Sequence, residues 1–307
     1  MPMTNELPMA GLGHAIEICS ILLFGWCWLQ GPEQGKDIHV EMVVAFLYGL
    51  VLETFDMWIF GTYHYGLRTW LWIGHVPLYI PLLWATIMHS SMALSDRTGL
   101  PLAVRPFLDG ILSVLIDLAV DATAIRAGLW HWSIPLNQGW FGVPAGNLCA
   151  WMWVAFWYGA VMRFVRGRIH TCGEPIWHRF LVPPIAYAGL LLSLSGIDPL
   201  ARWLGLVTQN QRLWLFALQV LVFLFIVLIS HHRAAILPST SRIPKSLLWN
   251  RWIIHVSFWG ILVVGGIWRQ VPALIVVSTG AIVLEAFAQR WCSKSPQAGF
   301  GPCIKIP

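Results

Sequence analysis

Residues 213–229 read LWLFALQVLVFLFIVLI, a run in which Gln219 is the single polar residue. The run is apolar on nearly every side, whereas a strand of an outer-membrane barrel alternates between a lipid face and a polar lumen face. An α-helix needs about 20 residues to cross the hydrocarbon core of a bilayer. The run therefore predicts a transmembrane helix and argues against a barrel.

The rest of the chain follows the same composition. Hydrophobic types make up 57% of its 307 residues, charged types make up 11%, and the mean hydropathy is +0.67, whereas a soluble domain is about 25% charged. The fold class predicted is an all-α polytopic integral membrane bundle, with residues 1–307 forming a single transmembrane domain. Nine spans are predicted, at residues 9–29, 40–60, 74–94, 107–129, 148–165, 177–195, 213–230, 249–268 and 272–290.

Basic residues indicate how these spans are oriented. Of the 19 Lys and Arg residues, 14 fall on the side of the C-terminus and five on the other side. The positive-inside rule then predicts a plasma (inner) membrane protein with its C-terminus in the cytoplasm and its N-terminus outside. The loop at 163–179 is either an ordinary basic loop or a contact with anionic membrane lipids.

The sequence gives little indication of a nucleic acid partner, a disulfide framework or a zinc site. The basic residues are spread through loops and form no aromatic-interleaved basic domain, so no nucleic acid partner is expected. The six cysteines form no CxxC pair and no close Cys/His group, so neither a disulfide framework nor a zinc site is predicted. No oligomeric state is predicted.

Acidic residues inside spans cost several kcal/mol and are therefore informative. Glu17, Glu53 and Asp121 each lie seven or eight residues from the outer end of a span, which places them roughly 10–12 Å below one face. Asp117 and Asp121 are spaced i, i+4 on one helix face. Two like charges in a poorly solvated site favour retention of a proton by one of them.

Alternative roles for these acids remain open. Asp117 and Asp121 either form a proton-donating pair or pair with Arg126 or His14 to hold helices together, and Glu17 has the same two options. Three further acids lie nearer the cytoplasmic ends and are predicted to be interfacial: Glu41, Asp109 and Glu285.

Two loops on the outer face are rich in aromatic residues and glycine. Residues 60–66 read FGTYHYG, and residues 128–144 begin GLWHW and end GWFGVP. An aromatic belt at the membrane interface is one explanation. Because both loops follow spans that carry acids, a closed pocket is the other.

An acid beside aromatic faces suits protonation of an electron-rich alkene. The π faces stabilise the resulting carbocation until water or an internal double bond captures it. This chemistry requires no cofactor and no metal, and the membrane location favours a lipid-soluble isoprenoid as the substrate.

Competing chemistries have weaker signatures. The 11 histidines are dispersed, Gly11-Leu12-Gly13 opens a span without a preceding strand, and no GxSxG occurs, which argues against a di-iron oxygenase, a dinucleotide site and a serine hydrolase. Asp117-x-x-x-Asp121 matches the DxxxD motif of magnesium-dependent prenyltransferases, but no second Asp-rich motif accompanies it.

Four ordered motifs within residues 45–155 resemble the membrane carotenoid hydratases, the family of bisanhydrobacterioruberin hydratase and γ-carotene 1'-hydroxylase. Glu53 leads into Phe60-Gly61-x-Tyr63-x-Tyr65, and Val76-Pro77-Leu78-Tyr79-Ile80-Pro81-Leu82-x-Trp84 follows. The third motif is Asp117-x-x-x-Asp121 with Gly128-x-Trp130-x-Trp132. The fourth is Trp140-Phe141-Gly142-Val143-Pro144-x-x-Asn147 with Trp151.

The resemblance implies addition of water across the terminal double bond of an acyclic carotenoid, without a cofactor. Carried over, it makes Asp121, Asp117 and Glu53 the catalytic candidates. The substrate-binding candidates, which include Glu17 because of its depth, are Tyr63, Tyr65, Trp84, Trp130, Trp132, Trp140, Phe141, Asn147, Trp151 and Glu17.

The chain departs from the family pattern at two places. It has Ala122 where Pro usually follows the second Asp, and the bulky stretch 55–58 (FDMW) where glycines usually follow the Glu. The substrate is then either a long polyene or a shorter terpenoid. A cation-driven cyclase or isomerase, a DxxxD prenyltransferase and a non-catalytic pigment- or lipid-binding subunit remain the alternatives to a hydratase.

Overall fold

The structure is a computed structural model, and it describes residues 11–31, 35, 37–66, 69–232 and 244–294. Helices dominate these residues, because the apolar blocks bury side chains on most faces while each helix satisfies its own backbone hydrogen bonds. The helices are α1 (Leu12–Leu29), α2 (Ile38–Ile59), α3 (Tyr79–Ser95), α4 (Arg105–Arg126), α5 (Ala145–Cys172), α6 (Val182–Ser195), α7 (Ile197–Trp203), α8 (Gln209–His232), α9 (Lys245–Val264), α10 (Ile267–Gln270) and α11 (Pro272–Lys294).

The all-α membrane fold predicted from the sequence is confirmed. Seven helical segments among the described residues are long and apolar enough to span a membrane, and one of them is the continuous stretch Ile176–Trp203. This stretch begins with a 3₁₀ helix (Ile176–Leu181) and continues through α6 and α7. The other two predicted spans correspond to α3 and α4.

Helices α3 and α4 differ from the other spans because they lie inside the bundle. Helix α3 has 17 residues and buries nearly all of them, and α4 contacts α3, α5, α8, α9 and α11. Enclosure by other helices allows α4 to carry three aspartates where lipid does not reach them. Helix α8, in contrast, leaves Leu221 and Phe225 exposed as a lipid-facing surface.

Four short strands cover one end of the bundle. They are β1 (Tyr63–Tyr65), β2 (Trp72–Ile73), β3 (Val76–Pro77) and β4 (Trp130–Trp132). Strand β1 pairs antiparallel with β4, and β2 pairs with β3. The span predicted to begin at residue 74 therefore begins as a helix only at Tyr79, because the β2–β3 hairpin precedes it.

The opposite end of the bundle contains buried ion pairs. Asp109 is fully buried, accepts hydrogen bonds from Nη1 (2.5 Å) and Nη2 (3.2 Å) of Arg163, and also bonds the Ser95 hydroxyl. Glu41 accepts from Nε of Arg166 at 2.7 Å and from its Nη2. Arginine partners therefore neutralise both carboxylates inside the protein, while the interfacial depth expected for Asp109 and Glu41 stays a prediction.

Glu285 on α11 is also paired with an arginine inside the protein. Both Glu285 and Arg251 of α9 are fully buried, and their side chains are joined by two hydrogen bonds of 2.6 and 2.8 Å. Arg251 also donates to the carbonyl of Leu112 on α4 at 2.6 Å. These contacts tie α9 and α11 to the centre of the bundle.

Orientation in the membrane and the single-domain organisation stay predictions. The first residues of the first predicted span, Met9 and Ala10, lie outside the described residues. The basic residues of the count that lie outside them as well are Lys36, Arg68, Arg233, Arg242 and Lys305.

Candidate active site

A cavity of about 500 Å³ lies within the bundle, next to the end that β1 and β4 cover. Helices α2, α3, α4 and α5 contribute most of its wall, and residues of α6 to α9 close the remaining sides. Its lining is mainly aliphatic and aromatic, with a few carboxyl, hydroxyl and amide groups. A largely apolar chamber with few polar groups is the usual form of a small-molecule site.

Glu53 projects from the last turns of α2 into this cavity and accepts three hydrogen bonds. Its Oε1 accepts from Nε1 of Trp84 at 2.7 Å, and its Oε2 accepts from the hydroxyl of Tyr63 at 2.6 Å and from the hydroxyl of Tyr65. All three partners act as donors to it. Such a set favours a charged carboxylate, because each donor stabilises negative charge on the oxygens.

The tyrosines that bind Glu53 belong to β1, outside the membrane-spanning helices. Burial and the charge of Glu53 raise the pKa of Tyr63 and of Tyr65 above its ordinary value. Both hydroxyls therefore keep their protons and remain donors at any working pH. The pair holds the Glu53 carboxylate without neutralising it.

The β1–β4 ribbon brings four aromatic side chains together. Tyr63 is opposite Trp132, and Tyr65 is opposite Trp130. The ring centroids of Tyr63 and Trp132 lie 4.8 Å apart, and those of Tyr65 and Trp130 lie 6.1 Å apart. Because side chains alternate across a strand, these four rings share the face toward the cavity, and all four line it.

A glycine contact fixes where this ribbon ends. The amide of Gly66 donates to the carbonyl of Leu129 at 2.8 Å. A Cβ at position 66 would lie 2.5 Å from the carbonyl oxygen of Gly128. Only glycine permits this backbone approach, so the glycines of both aromatic loops set the register that brings the tyrosines to Glu53.

Asp121 is the second carboxyl group in the cavity, and it lies on α4. Its Oδ2 accepts from Nδ2 of Asn147 at 2.5 Å, and Trp130 lines the cavity together with it. Asp117 lies one turn earlier, fully buried behind Asp121. Oδ2 of Asp117 faces the same Asn147 amide at 3.3 Å. Two carboxyl groups this close in a buried site favour retention of a proton by one of them, because two like charges would repel each other.

Neither alternative partner of the aspartates is found beside them. Arg126 donates instead to the backbone carbonyls of Ala122 (3.0 Å) and Phe141 (2.5 Å). His14 stacks on Trp70, with ring centroids 4.0 Å apart. Asn147 is the group that bridges the pair, since its amide also reaches Asp117 at 3.3 Å.

Nine of the predicted site residues line the cavity. They are Glu53, Asp121, Tyr63, Tyr65, Trp84, Trp130, Trp132, Asn147 and Trp151. The rings of Trp84 and Trp151 lie 4.2 Å apart, so α3 and α5 form one aromatic wall.

The other four predicted residues lie outside the cavity lining. Asp117 supports Asp121 from behind, and the indole of Trp140 donates to the carbonyl of Leu118 at 2.7 Å. Phe141 is the non-glycine residue with positive φ (51°) among the described residues, and its ring packs on Trp140. Both side chains therefore shape the loop before α5 rather than the cavity wall.

Glu17 is also placed elsewhere. It is buried, and its two carboxylate oxygens accept backbone hydrogen bonds from Trp70 (3.0 Å) and Leu71 (2.8 Å). These bonds tie the segment before β2 to α1. Glu17 is not among the residues that line the cavity, and neither is any other residue of α1.

Three features of the cavity were not assigned from the sequence. Asp56, one turn after Glu53, lines the cavity and accepts a hydrogen bond from Tyr187 at 2.9 Å. Asp198 and Arg212 form a 2.9 Å salt bridge where the lining is exposed. The spacing of Glu53 and Asp56, i and i+3, was the available signal for Asp56.

The third feature is an apolar wall from the C-terminal part of the chain. Ile254 and Phe258 of α9 line the cavity together with Ile87 of α3 and Ile116 of α4. Sequence motifs alone gave no indication of this wall, because it is built from ordinary apolar residues of separate spans. Among the described residues, no three His, Cys, Asp or Glu side chains are grouped as for metal binding.

Fold and site together define a polytopic membrane protein with carboxyl groups in an aromatic-walled apolar chamber. The family model of the carotenoid biosynthesis proteins matches residues 17–197, more than half of the chain. The chain therefore belongs to that family and has a role in carotenoid metabolism, which confirms the resemblance at the level of the family. No curated protein and no solved structure matches the chain.

Proposed function

We propose that this protein is a membrane hydratase that adds water to a terminal double bond of an acyclic carotenoid or related isoprenoid. One observation carries the proposal. Inside the cavity, Glu53, Asp56 and Asp121 are held by neutral donors, and among the described residues none of the three forms a salt bridge, whereas Asp198 at the exposed part of the lining pairs with Arg212. Such groups keep their capacity to give a proton or to stabilise a cation.

Asp121 is the proton donor in this mechanism. Its carboxyl group and that of Asp117 share the Asn147 amide in a buried site, which favours a proton on the pair, and Asp121 is the member that faces the cavity. Transfer of this proton to the less substituted carbon of the double bond leaves a tertiary carbocation on the other carbon. Asn147 then stabilises the aspartate that remains, through its 2.5 Å hydrogen bond.

Glu53 and the aromatic wall stabilise the cation. A carboxylate with three donors keeps its negative charge inside the apolar chamber, and attraction between opposite charges is strong where water is scarce. The faces of Trp132 and Tyr63 add cation–π stabilisation. Water then forms the C–O bond and loses a proton, which gives a tertiary alcohol with no net change in oxidation state.

The proposed substrate and setting follow from the same features. A lipid-soluble isoprenoid reaches the chamber from the bilayer, with membrane lipids around the outer helices. We further propose the orientation predicted from the basic residues, with the cavity opening toward the outer face of the plasma membrane. Because Ile254 and Phe258 complete a cavity begun by α2 to α5, we propose that residues 1–307 act as a single transmembrane domain.

The test is mass spectrometry of isoprenoids from membranes that contain the protein, incubated with an acyclic carotenoid in water enriched in oxygen-18. A product heavier by one labelled water is expected. Asp121→Asn should reduce its formation by roughly 10²- to 10⁴-fold, the usual contribution of a general acid. Glu174→Gln alters a carboxylate in the loop after α5 that bonds Arg168, and it should leave the product unchanged.

Other results would select the alternatives. An unlabelled product with the mass of the substrate would identify a cyclase or isomerase. Product formation that required magnesium and a diphosphate would identify a prenyltransferase. Bound carotenoid without any turnover would identify a binding protein, and each of these results would refute hydration.

A further inference from the structure

The final step of the proposed hydration needs a proton acceptor. When the oxygen of water bonds the tertiary carbocation, the oxonium that forms has to lose one proton to a base. Asp121 is a poor choice for this base, because it lies where the alkene was protonated and Asn147 already donates a hydrogen bond to its Oδ2. The base must also lie where water reaches the cavity.

Glu53 is poorly suited to bind this water. An ionised carboxylate offers about four acceptor positions. Tyr63, Tyr65 and Trp84 fill three of the positions on Glu53. The three donors fix the position of the Glu53 carboxylate and leave little room for a hydrogen bond from water.

Asp56 has the opposite arrangement. It lies one turn after Glu53 on α2 and lines the same cavity. Tyr187 of α6 donates to its Oδ1 at 2.9 Å, and Oδ2 has no hydrogen-bond donor among the described residues. One oxygen is therefore fixed by a neutral donor while the other remains available to water.

The position of Asp56 also fits the path of water. Three residues of helix carry Asp56 about 4.5 Å beyond Glu53 toward the end of α2. The exposed Asp198–Arg212 salt bridge belongs to the same cavity lining and forms its polar rim. Water that enters past this rim then meets Asp56 Oδ2, to which no donor from the described part of the chain is bonded.

We propose that Asp56 binds the attacking water through Oδ2 and takes the proton that this water loses as its oxygen bonds the carbocation. The inference rests on the proposed hydratase function. In one turnover Asp121 loses a proton to carbon, and Asp56 gains one from water. Asp56 then releases its proton to solvent at the rim while the Asp117–Asp121 pair takes one up, so the overall reaction consumes only alkene and water.

Two isotopes separate protonation of the alkene from capture by water. The purified full-length protein in detergent is incubated with an acyclic carotenoid in deuterium oxide enriched in oxygen-18. Reversible protonation by Asp121 places deuterium on the vinyl carbon of recovered substrate, and water capture places oxygen-18 in the alcohol. Asp56→Asn should lower the labelled alcohol at least about 100-fold while deuterium exchange into the substrate continues.

Further variants complete the test. Tyr187→Phe removes the hydrogen bond to Asp56 and should lower alcohol formation less than Asp56→Asn does, again with exchange retained. Asp121→Asn should abolish both labels. Glu174→Gln, which is remote from the cavity, should change neither.

Each contrary result has a distinct meaning. If Asp56→Asn forms labelled alcohol at the wild-type rate, Asp56 is not the base. If this variant binds the carotenoid, as its absorption spectrum would report, but loses both labels, Asp56 acts before water capture and the inference is overturned. If the wild-type protein incorporates neither isotope, the proposed function itself fails, and the role of Asp56 fails with it.

Discussion

Replacement of Gly49 by alanine should damage the candidate active site from outside it. Gly49 lies on α2, where a Cβ would be 2.6 Å from Cβ of Trp84 on α3. Carbon atoms in contact lie about 3.5–4.0 Å apart. Because Cβ of Trp84 is attached directly to the backbone, α2 and α3 have to separate locally by about 1 Å.

That separation acts on a specific hydrogen bond. Nε1 of Trp84 lies 2.7 Å from Oε1 of Glu53, and an added 1 Å exceeds the limit of about 3.2 Å for such a bond. Loss of a hydrogen bond to a charged group costs about 1.5–3 kcal/mol, and overpacking costs about 1–3 kcal/mol. Alanine has a higher helix propensity than glycine, which offsets about 1 kcal/mol of this loss. The net loss of stability is therefore about 1.5–5 kcal/mol.

The same change should slow turnover. If the lost hydrogen bond is fully expressed in the transition state, its 1.5–3 kcal/mol corresponds to a rate about 10- to 150-fold lower. Stability is measured by denaturant unfolding in detergent, and turnover by formation of labelled alcohol. Trp84→Phe should lower turnover similarly with a smaller loss of stability, since it removes the donor and keeps most of the packing.

Gly260 of α9 provides the matched control. A Cβ at this position has nothing within 4 Å, so Gly260→Ala should be neutral or up to about 1 kcal/mol more stable than the wild type. The reasoning would be refuted if Gly49→Ala behaved like Gly260→Ala in both measurements. It would be refuted in part if Gly49→Ala lost stability but kept full turnover.

Two further predictions concern the buried ion pairs at the opposite end of the bundle. In Gly159→Ala the new Cβ would lie 2.1 Å from Oδ2 of Asp109. The variant should lose about 3–5 kcal/mol in denaturant unfolding by breaking the pair with Arg163, whereas Gly167→Ala, with open space around it, should not. Although burial raises the pKa of Asp96, which follows α3, nearby arginines lower it overall to about 2. Ionised Asp96 therefore stabilises the folded state above pH ~4, the ordinary range for Asp, and this contribution is lost as the pH falls toward 2. Asp96→Asn should unfold with a smaller pH dependence over that interval, and equal slopes in both proteins would contradict the assignment.

The spans were the most predictable part of the molecule. An apolar run such as residues 213–229 has one stable conformation in lipid, because only a helix satisfies its backbone hydrogen bonds locally. The end of the bundle near the strands was less predictable. Residues 74–78 (GHVPL) form part of the β2–β3 hairpin and the turn into α3. A hydropathy window of about 19 residues averages such a short segment with the apolar helix that follows it.

The candidate site was predictable where its residues share local patterns. Asp117 and Asp121 were grouped by their i, i+4 spacing on one helix face, and Tyr63 and Tyr65 were grouped by the aromatic loop and the family motif that contain them. Contacts between distant segments left no such pattern. Asp56 and Tyr187 are separated by 131 residues, and nothing in the sequence indicated that the Glu17 carboxylate would accept from the backbone amides of Trp70 and Leu71.

Buried carboxylates have different partners at the two ends of the bundle. At one end Asp109 and Glu41 are paired with arginines, which cancel their charge and leave them inert. At the other end Glu53 and Asp56 are held by tyrosine hydroxyls and an indole, which orient a carboxylate but add no opposite charge. An uncancelled carboxylate in an apolar chamber is costly for stability. A reaction through a carbocation requires such a carboxylate, because its negative charge stabilises the positive charge of the cation as the cation forms.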